Sequence, residues 1–328
     1  MLYDTVLFSL PAQDVDPDQP WIFWPEPPGP RLLESLATLG QTAPVLVEPA
    51  PEGGFRLVAG RKRLLALREL GRAVRCVRVQ ADAVGKGLLY LADNASREAT
   101  PAMLVRAARY FLPLLPRDEL AARLCPALGL EPRSRLWRRV EAWLDLPAGE
   151  GGFAPLLDDG RIPLDCVDTL ALLGPDELAA LRPYLAAARW SRSAATHFCA
   201  LLFEASRARR ETVAQVAARA GLADILAREL SPRDRIEALL DAARRARFPE
   251  LWRLRDESDR LLAELAAGSS WRLERPDDFE TDVVVATARI VRGADLALLA
   301  AQLGRVAESG LWDRLWRLAE PDAGGAES

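Results

Sequence analysis

Histidine is almost missing from this chain of 328 residues: His197 is the only one. Serine and cysteine triads that use a histidine base are therefore disfavoured, since nothing near His197 in "SAATHFCALLF" suggests a partner. His197 itself reads as a helical core or boundary residue. Cysteine is scarce too. Cys76, Cys125, Cys166 and Cys199 stand far apart with no Cys-x-x-Cys pair, which argues against a zinc site or a disulfide framework and leaves buried free thiols as the expectation. No apolar run approaches the roughly 18 residues of a membrane helix, and "MLYDTVLFSLPAQD" lacks the positive flank of a signal peptide. A cytoplasmic protein with no membrane partner is expected. Of 43 basic residues only Lys62 and Lys86 are lysine, so nearly all positive charge is guanidinium.

What is present is an ordinary globular composition, 50% hydrophobic and 27% charged, at a length that suggests two or three domains. The net charge of −4 argues against a uniformly basic nucleic-acid binder, yet the charge is unevenly placed. Residues 1–30 hold five acids and no Lys or Arg, whereas residues 31–79 hold nine basic residues against four acids. The proline- and tryptophan-rich "PDQPWIFWPEPPGPR" makes residues 1–30 read as an extended arm, with Trp21 and Trp24 packing on the domain after it. Residues 31–100 read as a compact α/β unit: a helix closed by Gly40, two strands around a Pro-Glu-Gly-Gly turn, a helix closed by Gly71 and a further strand. Residues 101–231 read as short helices, 232–319 as a small α+β domain in which Trp271, Phe279, Trp312 and Trp316 form a core or a self-association surface, and 320–328 as a disordered tail.

Two stretches carry candidate chemistry. In "LVAGRKRLLALRELG" a strand ends at Ala59, Gly60 permits a tight turn and a helix starts at Arg61. Three cations at a helix N-terminus oppose the helix dipole, each by typically about 0.3–1 kcal/mol, so Arg61, Lys62 and Arg63 need a compensating anion. A phosphate at the free N–H groups is one such anion; pairing with Glu34 and Glu69, or splaying into solvent, is the other reading. The second stretch, "RDELAARLCPALGLEPRSRLWRRVEAWLDLP", reads as a helical pair whose second helix bears Arg133, Ser134, Arg135, Arg138 and Arg139, side chains that reach phosphates and base edges in a helix-turn-helix. An arginine-rich solvated face is the alternative. A further segment, "RETVAQVAARAGL", reads as packing.

The order of these elements resembles the ParB family of bacterial chromosome and plasmid partition proteins. Three signatures carry the resemblance: "SLATLGQTAPVLV" with Gly40 and Pro44, Gly60 to Ala66 against Gly-Glu-Arg-Arg-x-Arg-Ala, and "DNASR" against Glu-Asn-x-x-Arg. The resemblance spans about residues 31–185. It implies a ParB/sulfiredoxin-like N-terminal domain holding CTP with Mg²⁺: Gly40, Gln41, Thr42, Pro44, Gly60, Arg61, Lys62, Arg63 and Arg97 at the nucleotide, and Asp93 and Asn94 at the metal. It also implies double-stranded DNA as partner through Arg133, Ser134, Arg135, Arg138 and Arg139, a partition ATPase or other protein partner, a homodimer and a nucleoid-associated location. Sulfiredoxin shares the fold class, but its cysteine has no counterpart near Gly60.

This sequence departs from the family where Arg61 replaces glutamate, Ala43 stands before Pro44, and Cys166-Val167-Asp168 stands where the family has His-Ala-Arg. Without the polar groups that place an attacking water, nucleotide binding is expected over hydrolysis, and a binding protein over a weak CTPase. The expectation is a DNA-binding partition or regulatory protein with CTP as a clamp switch. The alternative is an adaptor or transcriptional regulator on the same fold that has lost nucleotide turnover or nucleotide binding, and a small-molecule kinase or nuclease is a third class.

Overall fold

The computed structural model describes residues 2–147, 149, 151–276, 281–293 and 295–318. It begins with strand β1 (Leu2–Pro11), a 3-10 turn (Ala12–Asp14) and the short β2 (Val15–Asp16), followed by α1 (Pro30–Leu39), β3 (Val45–Pro49), β4 (Phe55–Ala59), α2 (Arg61–Glu69), β5 (Ala73–Gln80) and α3 (Ala83–Asp93). The five strands form one mixed sheet in the order β1-β5-β3-β4-β2, with β5/β3 and β4/β2 parallel and the other neighbours antiparallel.

Residues 2–16 are therefore not an arm ahead of the domain; β1 and β2 are the two edges of its sheet. The period of two is visible in β1, where Phe8 and Leu10 pack toward α1 and α2 while Leu7 and Ser9 are exposed. The apolar layer on that face joins Val45, Val47, Leu57 and Cys76 to Leu36, Leu64 and Leu67, and α3 covers the other face through Val58, Val79 and Leu89. Burial lifts the Cys76 thiol to about 11, so it acts as a small apolar side chain.

The helical region comes next: α4 (Pro101–Phe111), α5 (Arg117–Leu128), α6 (Arg135–Leu144), α7 (Ala154–Asp158), a 3-10 turn (Leu164–Cys166), α8 (Val167–Leu170), α9 (Pro175–Ala186), α10 (Arg192–Arg209), α11 (Val213–Arg219), α12 (Leu222–Ala227) and α13 (Pro232–Arg247). Residue 232 is not a boundary between cores. Leu239, Leu240, Ala243 and Ala246 of α13 pack on α10 within the helical core. A separate small core begins further on, in α14 (Pro249–Ala266), and includes β6 (Trp271–Glu274), which pairs with β7 (Val285–Ala288), then α15 (Asp295–Ala307) and α16 (Leu311–Arg317). The tail 320–328 and Phe279 lie outside the described residues.

Residues 17–29 join the sheet to the helices. Trp21 donates its indole N–H to Leu57 O at 3.1 Å, and Trp24 donates to Glu98 O at 3.2 Å. Phe23 sits among Tyr90, Tyr110 and Phe111. Gly87 of α3 has no room for a side chain, because a Cβ there would run into the Phe111 ring. No helix among the described residues is long and apolar enough to cross a membrane.

Candidate anion turn and arginine face

Gly60 adopts φ +95°, and a Cβ there would meet Val45 Cγ1 at 2.9 Å. Only glycine turns the chain from β4 into α2 this close to β3. The turn gathers the three motif segments through one side chain, Arg63. Its Nη1 donates to Ala43 O at 3.2 Å and Pro44 O at 2.7 Å, while Nη2 donates to both carboxylate oxygens of Asp93, at 3.1 and 2.8 Å.

The other cations of the turn are also engaged. Arg61 donates to Pro25 O at 2.6 Å and to Asp18 at 2.9 Å. Arg97 donates to Glu26 at 2.8 Å and to the Asn94 side-chain oxygen at 3.3 Å, and its guanidinium lies over the Trp24 ring. Asp18 and Glu26 of residues 1–30 thus supply the anions for Arg61 and Arg97, and Asp93 supplies the one for Arg63. Lys62 alone among the turn's cations makes no ion pair or side-chain hydrogen bond among the described residues. Glu34 and Glu69 make no ion pair with the turn.

Gln41 is placed elsewhere. Its amide donates to Arg75 O at 2.9 Å and accepts from Arg75 N at 2.7 Å, completing the hydrogen bonding of β5 beyond the end of β3. Thr42 is exposed, and Gly40 closes α1. Neighbouring arginines act as internal staples: Arg68 donates to Ala12 O and Val15 O, and Arg72 to Leu36 O and Ala37 O. The local excess of positive charge is largely used inside the fold.

Asp93 and Asn94, the residues that the resemblance implies for magnesium, are both engaged within the protein. Both oxygens of Asp93 face a guanidinium, and the Asn94 amide is shared between Tyr90 O and Arg97. Among the described residues no group of three His, Cys, Asp or Glu side chains stands together to hold a metal ion.

On the helical pair, Ser134 caps α6 by accepting from Trp137 N at 3.2 Å, so its hydroxyl is engaged with the helix itself. The six residues 129–134 separate α5 from α6. The buried face of α6, Trp137, Val140 and Trp143, packs chiefly on α4 and α8 rather than on α5, and Trp143 donates to Leu164 O at 2.9 Å. α5 and α6 are linked at one end, where Arg117 of α5 donates to both carboxylate oxygens of Asp145 at the close of α6, at 2.8 and 2.9 Å.

The arginines of this segment divide. Arg133, Arg135 and Arg138 are exposed, and neither Arg133 nor Arg138 makes an ion pair among the described residues. Arg139 is 9% exposed and does not belong to an outer face. Its Nε donates to Asp168 at 2.9 Å and its Nη1 to Asp165. The hydrogen bonds from Arg139 hold the Asp168 carboxyl below the usual carboxylate range, and the same bonds raise the guanidinium. Arg192, at the start of α10, also reaches Asp165, and Arg135 reaches Asp168 at 3.4 Å. Asp165 and Asp168 were not singled out from the sequence, although Asp168 stands in the departure from the family's His-Ala-Arg run. His197 is exposed on α10 and lines the groove beside Arg135 and Arg192, so it is not a core residue.

No protein-family model matches the sequence, and no curated protein matches it. The chain is similar to solved ParB structures. One is the C-terminally truncated chromosome-partitioning protein ParB from Caulobacter crescentus complexed to the centromeric parS site, 18% identical, with the match covering 55% of this chain and 91% of that one at a TM-score of 0.34. Another is the same truncated protein complexed with CTP-gamma-S, 19% identical over 55% of this chain and 99% of that one, at a TM-score of 0.24. The DNA and the nucleotide analogue are facts about those complexes.

Proposed function

We propose that this chain is a DNA-binding protein of ParB-like organisation whose contact with duplex DNA does not depend on nucleotide. The observation that carries the proposal is the division of charge between its two cationic stretches. At the Gly60 turn Arg61, Arg63 and Arg97 each have a carboxylate partner, Asp18, Asp93 and Glu26 respectively. At α6, Arg133 and Arg138 are exposed and make no ion pair among the described residues, while the exposed Arg135 touches Asp168 at 3.4 Å. A polyanion meets open guanidinium groups at α6, whereas CTP at the turn has to displace Asp18 and Glu26 and to part Arg63 from Asp93.

This charge division supports the adaptor or regulator reading over the CTP clamp. Each arginine–phosphate contact releases a counterion and adds about 0.9 to the slope of log K against log salt. The test is a fluorescence-anisotropy titration of labelled duplex DNA with the full chain and with Arg135→Ala/Arg138→Ala. The double variant should bind more weakly, with a slope shallower by roughly 2. Equal affinity and slope would remove α6 from the interface. A partition ATPase and a homodimer stay open to the same preparation, by co-sedimentation.

A further inference from the structure

Between α4, α6, α7 and α10 lies a cavity of about 840 Å³, within the range of small-molecule sites. It includes none of Gly60 to Arg63, and it shares with the surroundings of that turn only Glu26, the partner of Arg97. Its apolar wall is formed by Leu157, Ile162, Leu164 and Trp190. Trp190 is 5% exposed and stacks on Phe198 with ring centroids 4.9 Å apart, so it is held rigidly in the apolar wall. Two of the lining cations are committed: Arg106 to Asp158 and Phe23 O, and Arg139 to Asp165 and Asp168. Arg135 and Arg192 are different, because their side chains remain 74% and 71% exposed at the mouth while each touches one carboxylate. Glu26, the remaining acid of the lining, is paired with Arg97.

We infer that this cavity is a binding site for a small planar anion, an aromatic or fused-ring body seated against Trp190 and Leu164 with its phosphate or carboxylate at Arg135 and Arg192. The apolar wall takes the ring and the two guanidinium groups take the charge. Binding of the ligand does not rest on the DNA reading. Because Arg135 belongs to both surfaces, an occupied cavity draws that side chain inward and competes with DNA for it.

The experiment uses the full chain and the probe 8-anilinonaphthalene-1-sulfonate, with uncharged N-phenyl-1-naphthylamine as the same ring system lacking the anion. One saturable site is expected for the sulfonate, with the uncharged probe bound roughly tenfold more weakly. Arg135→Ala/Arg192→Ala, two exposed positions whose loss leaves the fold intact, should weaken the sulfonate about tenfold and leave the uncharged probe unchanged. Ala102→Phe, which fills the cavity from α4, should weaken both, with a thermal melt to confirm folding. Adenosine monophosphate and indole-3-acetate then compete as phosphate and carboxylate arms, and displacement by either supports the site and identifies its headgroup. Undiminished sulfonate binding in either variant, or displacement by neither competitor, overturns the inference.

Discussion

Replacing Arg139 by alanine should damage the fold while sparing DNA binding, the reverse of what its place in an arginine-rich helix suggests. The guanidinium is almost wholly enclosed and bonded to Asp168 and Asp165. Removing one partner of a buried ion pair costs typically about 3–5 kcal/mol, because the other charge stays buried alone. Here the Asp168 side chain is 47% exposed and keeps its water, and Asp165 keeps Arg192. The expected loss therefore falls to about 2 kcal/mol. Urea unfolding followed by tryptophan emission reads it directly, since Trp137 and Trp143 lie on the same helix and are fully buried. Salt-dependent anisotropy on the same variant should give the wild-type slope. A variant as stable as wild type whose slope falls by about 1 would show Arg139 on a phosphate and refute the division drawn along α6.

Three other substitutions probe neighbouring claims. Asp168→Asn should cost stability at neutral pH, and the gap to wild type should close as pH falls: a carboxyl held below its ordinary value stabilises the fold above about pH 4 and ceases to do so as it protonates. Urea midpoints between pH 3 and pH 7 give the curve, and a gap that widens in acid contradicts the assignment. Gly60→Ala should destabilise by about 1–3 kcal/mol, since the positive φ and the 2.9 Å approach to Val45 both oppose a methyl group; an unchanged melting temperature refutes it. Asp18→Asn with Glu26→Gln should expose the turn's cations and raise affinity for inorganic triphosphate in calorimetry. No gain in binding would mean that these carboxylates do not mask the turn.

The Gly60 turn was legible in the sequence, because a glycine before a run of cations and a helix start restricts the local backbone strongly, whereas its meeting with residues 40–44 and 93–97 was implied only by the family resemblance. The strands β3, β4 and β5 and the helices α1 and α2 were legible for the same reason, through alternation, periodicity and closing glycines. What the side chains do there was not legible. Asp93 and Arg63 each looked like a ligand group until the fold set them against one another, a pairing across 30 positions of sequence that no local pattern reports. The role of residues 1–30 was hidden behind their prolines: β1 precedes them, and the acids that neutralise Arg61 and Arg97 come from the irregular stretch after it. Arg139 illustrates the same limit on α6. Helical spacing places it one position from the exposed Arg138, but only the packing of α8 and the turn before it shows that two aspartates enclose it.

The central claim is that DNA binding at α6 proceeds without nucleotide. Its most direct test is the affinity of the full chain for duplex DNA across a salt series, with and without CTP and Mg²⁺. Steeply salt-dependent binding that is the same in both series is predicted. Binding that appears or tightens tenfold only with CTP and Mg²⁺, or that shows no salt dependence, would contradict it.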